Sequence, residues 1–148
     1  MQLFIIAVFI FVFDQVTKYF VLHSLTPGQS LAVIPRIFHL TLVENQGIAF
    51  GMFQNHGSIL QTAIILCVMI LIIYFASVPQ TDTFHRVCYG FILGGALGNL
   101  TDRIRFGRVT DFLDFRIWPV FNVADSFISI GVLLLIVATF RKPKTHVS

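Results

Sequence analysis

The chain has 148 residues, enough for one domain, and is 56% hydrophobic and 11% charged, with a mean hydropathy of +0.85. A soluble domain carries about 25% charged residues, and a chain this short cannot bury so much apolar surface in water, so lipid must be its solvent. The net charge of +3 does not point to nucleic acid, because the basic residues are scattered and no helix carries a solvent-facing run of them.

A spanning helix needs about 20 mostly apolar residues, and four stretches qualify. The first is Leu3–Leu22. No basic residue precedes it and no small-x-small pattern follows Phe13, so it reads as a retained span and not as a cleaved signal. It carries Asp14, Gln15 and Lys18. Asp14 and Lys18 lie four apart and can either pair along the helix or support a site.

The connection from His23 to Gly57 contains Ile37–Val43, which alternates well enough for a strand. An open strand cannot cross lipid, so this piece belongs at the membrane surface. Asn45, Gly47, Ala49 and Phe50 follow it. The second span, Ser58–Ser77, is almost uniformly apolar and reads as a plain lipid-facing anchor. A short turn, Val78–Asp82, leads to the third span, Thr83–Ile104. Gly90, Gly94 and Gly98 recur there every four residues and stack on one face, as in small-xxx-small packing. Asn99, Asp102 and Arg103 share a face near its end and suit a structural network. The connection Arg105–Phe121 carries Trp118, an interfacial anchor by type. Asn122–Phe140 is the fourth span. Cys67 and Cys88 fall in apolar runs and read as inert buried thiols. With no Cys-x-x-Cys pair and no metal-ligand spacing among the five histidines, no metal or other cofactor is expected.

Four spans put both termini on one side and both long connections on the other. The termini side carries Arg86, Arg141, Lys142 and Lys144. The loop side carries Lys18, Arg36, Arg103, Arg105, Arg108 and Arg116, but also six of the seven acids: Asp14, Glu44, Asp102, Asp111, Asp114 and Asp125. A literal positive-inside count favours the opposite orientation, or neither. Several loop-side arginines are expected to pair with acids, and the cleanly basic tail places the termini in the cytoplasm.

Charge inside a span is expensive and marks function by default, so this one-sided gathering is where chemistry is expected. Glu44 and Asp114 read as solvated or paired. Asn122 and Asp125 have the spacing of a helix N-cap and its third-position acid. Capping does not fully account for two aspartates. Asp111 follows the third span, and Asp125 lies three residues inside the fourth, about 4.5 Å deep at 1.5 Å per residue. Antiparallel spans would let the two carboxylates meet just below the outer surface. Paired carboxylates cannot both ionise cheaply, so one keeps a proton. The ionised one can take a proton from water and the other can donate to a scissile carbonyl. No Gly-x-Ser-x-Gly, Cys–His or His-Glu-x-x-His arrangement competes.

Asp14-Gln-x-Thr-Lys18, Asn45-x-Gly-x-Ala-Phe50, Gly94-Gly-Ala-Leu-Gly-Asn-Leu-x-Asp-Arg103, Val109-x-Asp-Phe-x-Asp114 and Phe121-Asn-x-Ala-Asp125 together resemble the signature blocks of the lipoprotein signal peptidase (signal peptidase II) family. The resemblance covers nearly the whole chain, in order. It implies an all-α membrane protein of four transmembrane helices with a small extracytoplasmic β-cradle, forming one membrane-embedded peptidase domain over residues 1–148. It implies an aspartic endopeptidase of the bacterial cytoplasmic (inner) membrane, with both termini cytoplasmic and the active site near the outer face. Asp111 and Asp125 fall on the catalytic dyad, and Asp14, Asn45, Asn99, Arg103 and Asn122 fall on the supporting polar positions. The implied substrate is a prolipoprotein whose cysteine already carries diacylglycerol, cut just before that cysteine. A non-catalytic polytopic protein, such as a transporter subunit, is the alternative. A permeation path would spread ionisable groups through the bilayer, whereas the inner half of every span here is nearly free of them.

Overall fold

The computed structural model describes residues 1–46, 67, 70, 74, 77 and 82–140. They form α1 (Gln2–Ser24), β1 (Ser30–Ile34), β2 (Phe38–Asn45), α2 (Thr83–Phe106), β3 (Val109–Asp114) and α3 (Val123–Phe140). The architecture is mostly helical with one three-stranded antiparallel sheet in the order β1-β2-β3. The expected second span lies outside the described residues, except that Cys67, Ile70, Tyr74 and Ser77 are helical.

The long helices start and stop where the local chemistry dictates. Asp82 caps α2 by accepting the His85 backbone N–H at 2.8 Å. The His85 backbone N–H and then its ring hold the Asp82 carboxyl below the usual range. Gly107 ends α2 in the left-handed region (φ 69°), a conformation that costs a side-chain-bearing residue, with its N–H on the Arg103 carbonyl at 3.0 Å. At the head of α3 the expected capping box is present and reciprocal. The Asp125 N–H donates to Asn122 Oδ1 (2.9 Å), and the Asn122 N–H donates to Asp125 Oδ2 (3.3 Å).

Helix α2 is the central element, and glycine lets both neighbours approach it. A Cβ on Gly94 would lie 2.6 Å from the Ala7 carbonyl oxygen, and one on Gly90 would lie 2.7 Å from Ile6. The glycine stripe therefore faces α1, as its spacing predicts. The opposite face carries a glycine not in the stripe: a Cβ on Gly95 would meet the Ala124 carbonyl at 2.5 Å, on α3. Leu3, Ala7, Ile92 and Leu93 close the core between α1 and α2. A second cluster, Val21, Leu25, Leu42, Phe112 and Val123, joins the helix ends to the sheet. Outward, α1 presents Phe4, Ile5, Val8 and Phe9, and α3 presents Leu133, Ile136 and Phe140. Contiguous apolar surface on that scale is a liability in water and an asset in lipid. Two described helices, Gln2–Ser24 and Val123–Phe140, are long and apolar enough to cross a membrane.

Three expectations need correction. The strand expected at Ile37–Val43 runs from Phe38 to Asn45 and acquires two partners, β1 and β3, that alternation does not reveal. β1 is a continuous apolar run, and β3 places polar residues on both faces, so neither shows period two. The segment after the third span is therefore not a plain connection: it puts Asp111 on a strand. Cys67, read as buried, is exposed, whereas Cys88 is buried. Apolar sequence cannot separate a lipid-facing side chain from a core one.

Candidate active site

Asp111 is held from both sides. Strand β3 pairs it with Val43 of β2, and two residues further along β2 the Asn45 side chain donates to Asp111 Oδ2 at 2.9 Å. Asn122, fully buried at the head of α3, donates its Nδ2 to Asp111 Oδ1 at 2.7 Å. The same Asn122 makes the reciprocal capping pair with Asp125. One asparagine thus binds both carboxylates, and the separation of the two acids is tied to the geometry of a helix cap. Asn99 completes the ring: its Nδ2 donates to Asp125 Oδ1 at 2.7 Å, and its Oδ1 accepts from Asn122 at 3.1 Å and from Lys18 Nζ at 3.0 Å.

Beneath this ring lies a buried ionic cluster. Lys18 Nζ is 2.9 Å from both Asp14 Oδ2 and Asp102 Oδ2. The pairing expected for Asp14 and Lys18 is present, together with a third member. Asp14 Oδ1 also accepts the Ala124 N–H at 2.9 Å, which sets an anion at the positive end of α3. Asp102 accepts the Thr110 N–H at 3.0 Å and so clamps β3 to the end of α2. Gln15 Nε2 donates to Gly98 O at 3.2 Å and to Asp102 Oδ1 at 3.1 Å. Burying charge is costly unless every group is satisfied. No buried side-chain nitrogen or oxygen lacks a partner among the described residues. Gly98 makes room for the cluster, since a Cβ there would stand 2.5 Å from Asp14 Oδ2.

Arg103 donates from Nη1 to the Asn99 carbonyl at 3.3 Å and lies within electrostatic reach of Asp125, Asp111 and Asp102. All seven residues singled out in the sequence therefore converge. Gly47, Ala49 and Phe50 of the Asn45 motif lie outside the described residues. Lys18, expected to pair with Asp14 or support a site, and Asp102, expected in a structural network, both belong to this network, and Gln15 joins them. Their signal was present in the four-residue steps from Asp14 to Lys18 and Gly98 to Asp102, which put polar groups on facing helix surfaces. Glu44 and Asp114 are paired, as expected: Arg108 Nη2 is 2.7 Å from Glu44, and Arg116 Nη1 is 3.0 Å from Asp114. Burial pushes the Asp114 carboxyl up, but the Thr41 hydroxyl, the Arg116 N–H and its guanidinium outweigh it and hold the group below the usual range.

Burial pushes Asp111 up to about 6. The Asn45 hydrogen bond opposes this, the Asp125 charge adds to it, and Asn122 and Lys18 pull it down again. Asp125 is half-buried and borders a cavity of about 420 Å³ lined also by Phe115, Trp118, Phe121 and Ser129. A carboxyl poised to hold a proton beside a second carboxyl that opens onto a cavity is an arrangement suited to acid–base hydrolysis.

The architecture is that of a bacterial membrane enzyme. A solved chain described in those words superposes with a TM-score of 0.84 at 36% identity, covering 97% of this chain and 93% of that one. Residues 6–141 match the family model described as signal peptidase (SPase) II. A lipoprotein signal peptidase of Nostoc punctiforme is 45% identical over 97% of this chain and 93% of its own length. One from Moorella thermoacetica is 42% identical over 91% and 90%. The chain belongs to the signal peptidase II family and is a peptidase of the bacterial membrane.

Proposed function

We propose that the chain is an aspartyl endopeptidase that removes signal peptides from diacylglyceryl-modified prolipoproteins, cutting just before the lipidated cysteine. The observation that carries the aspartyl mechanism is the hold of Asn122 on both Asp111 and Asp125. The pair shares one proton and titrates as a unit. The ionised member takes a proton from an attacking water while the protonated member donates to the scissile carbonyl. Asn45, Asn99 and Asn122 fix both carboxyls, and Arg103 offsets the negative charge that develops when water attacks. In this reading residues 1–148 form one membrane-embedded domain of four spans in the cytoplasmic membrane, with both termini inside and the dyad near the outer face.

The test is incubation of the purified chain in lipid with a diacylglyceryl-modified prolipoprotein, with products identified by mass. A single cut before the modified cysteine is expected, and an intact substrate or a cut elsewhere refutes the reading. Sidedness is checked with a cysteine in place of exposed Arg105 in a cysteine-free background. Labelling by an impermeant thiol reagent outside intact cells is expected, and protection there reverses the assignment.

The dyad also fixes a pH dependence. Burial pushes Asp111 up to about 6, and above that pH Asp111 gives up the proton that the acid needs. We expect kcat/KM, which reports the free enzyme, to fall as pH rises through about 6. The Asn45 hydrogen bond favours the ionised form, so Asn45→Ala moves this limb to higher pH. A limb that stays in place or moves down would separate Asn45 from the titrating group. The stability sign follows from the same shift. A carboxyl with a raised folded pKa contributes fully below its unfolded value near 4, and the contribution is lost as pH rises through about 6.

A further inference from the structure

Two turns lie side by side at one end of the sheet, where His39 of β2 pairs with Asp114 of β3. The first joins β1 to β2. The Ile37 N–H donates to the Ile34 carbonyl at 3.0 Å and closes it over Pro35 and Arg36. Arg36 has φ 67°, at the position of such a turn where glycine or asparagine costs least. The second turn follows β3 and holds Arg116 at φ 66°. There Asp114 accounts for the conformation, accepting the Arg116 N–H at 2.8 Å and its guanidinium at 3.0 Å. Arg36 has no such hold. All seven acidic side chains lie among the described residues, and none pairs with Arg36, which is exposed. A strained backbone kept for a cation without an acidic partner points to an anion outside the chain.

The surroundings say which anion. Ile34 and Ile37 flank Arg36 and are 49% and 60% exposed, and Ile117 and Trp118 follow Arg116 at 92% and 70%. Phe38 packs on Phe115 with 4.9 Å between ring centroids and joins the two turns into one apolar rim. Its depth is set by α3. Ile117 and Trp118 border the same cavity as Ser129, one turn beyond Asp125 and about 6 Å further along the helix axis. The rim therefore reaches down beside a helix long and apolar enough to span the bilayer. Isoleucine and tryptophan at that level belong among head groups and upper acyl chains. An arginine there lays its apolar stem on lipid and turns its planar fork to phosphate, which it binds bidentately.

We propose that the two turns form a lipid-binding rim that dips into the bilayer, with the Arg36 guanidinium taking a phospholipid phosphate. This goes beyond the function proposed above and does not depend on the reaction. Strands β2 and β3 both lead from the rim to the Asn45–Asp111 hydrogen bond, so lipid that holds the rim also sets the height of the sheet that carries Asp111.

The experiment uses the full chain with Cys67→Ala, Cys88→Ala and Ile37→Cys, a fluorophore on the new thiol, reconstituted into bilayers. Quenching by a nitroxide on the upper acyl chain reports lipid contact, and quenching by acrylamide reports water. In phosphatidylglycerol the probe should be quenched by the nitroxide and shielded from acrylamide. Arg36→Gly should raise the ratio of acrylamide to nitroxide quenching about fivefold, the factor one cation contributes at an anionic surface. In an uncharged galactolipid, which has no phosphate, the same substitution should leave the ratio within about twofold. Glycine suits the positive φ, so thermal unfolding in detergent should be unchanged or later, and Arg36→Asn supplies a second variant that tolerates this backbone. Equal ratios before and after substitution in phosphatidylglycerol overturn the phosphate contact, and so does an equal rise in the galactolipid. A probe shielded from acrylamide yet untouched by the nitroxide overturns the rim as a lipid surface, because protein then covers it. A probe open to acrylamide in both lipids does the same, because the turn then stands in water.

Discussion

Asp111→Asn and Asp125→Asn are each expected to lower cleavage of lipidated substrate by at least about a thousandfold, within the range for loss of a positioned acid or base. The double variant should be little worse than either single one, because two groups acting as a unit do not add. The two substitutions differ in their structural cost. Both oxygens of Asp111 accept from asparagine amides, and an asparagine there offers only one acceptor. One of the two buried donors is then left facing another donor, at a cost of about 1–3 kcal/mol. Asp125 has one short bond, from Asn99 at 2.7 Å, and one long one, from the Asn122 N–H at 3.3 Å. An asparagine there keeps the short bond and loses only the long one. Asp125→Asn is therefore the cleaner test, and thermal unfolding of both variants supplies the control. Near-normal turnover by either folded variant would remove the dyad.

Much of this site was legible in the chain because polar residues are rare in lipid-spanning sequence and therefore stand out. Asp14, Lys18, Asn99 and Asp102 occur at helical spacing in apolar surroundings, and the Asn122–Asp125 cap is a local motif that depends on nothing beyond one helix turn. The glycines of α2 were equally readable, since a four-residue repeat has one face whatever packs on it. The links between elements were not readable. That Lys18 reaches Asp102, that Asp14 seats the first turn of α3, and that β3 carries Asp111 under Asn45 depend on how α1, α2 and the sheet pack in three dimensions. β3 escaped because its polar residues, Thr110, Asp111 and Asp114, are buried by the network they serve, which erases the inside-outside alternation. Trp118 was read as an anchor by type. Its place beside Asp125 is a consequence of the Phe115–Phe121 stack that folds the segment back, and no spacing rule encodes that.

Removing lipid from the substrate should slow cleavage by well over a hundredfold, an order-of-magnitude figure from the size of positioning effects. Asp125 lies about one helical turn inside the fourth span, and the outward faces of α1 and α3 are dominated by large apolar side chains. In the proposed orientation the dyad sits at the depth where headgroups give way to acyl chains. A soluble peptide must leave water to reach it, and its backbone groups lose their hydration on the way. A diacylglyceryl group reverses that balance, since each buried CH₂ favours the membrane by about 0.8 kcal/mol. The peptide is then held at the bilayer with the bond before its cysteine near the dyad, and a rare encounter becomes a positioned one. The comparison is between lipidated and unlipidated forms of one prolipoprotein, at equal concentration in the same bilayer. The deficit should appear mainly in kcat/KM and should shrink as unlipidated peptide is raised toward saturation, because the dyad itself is intact. Comparable rates at low concentration would mean that peptide sequence alone suffices for recognition. Depth would then have no part in selecting the substrate.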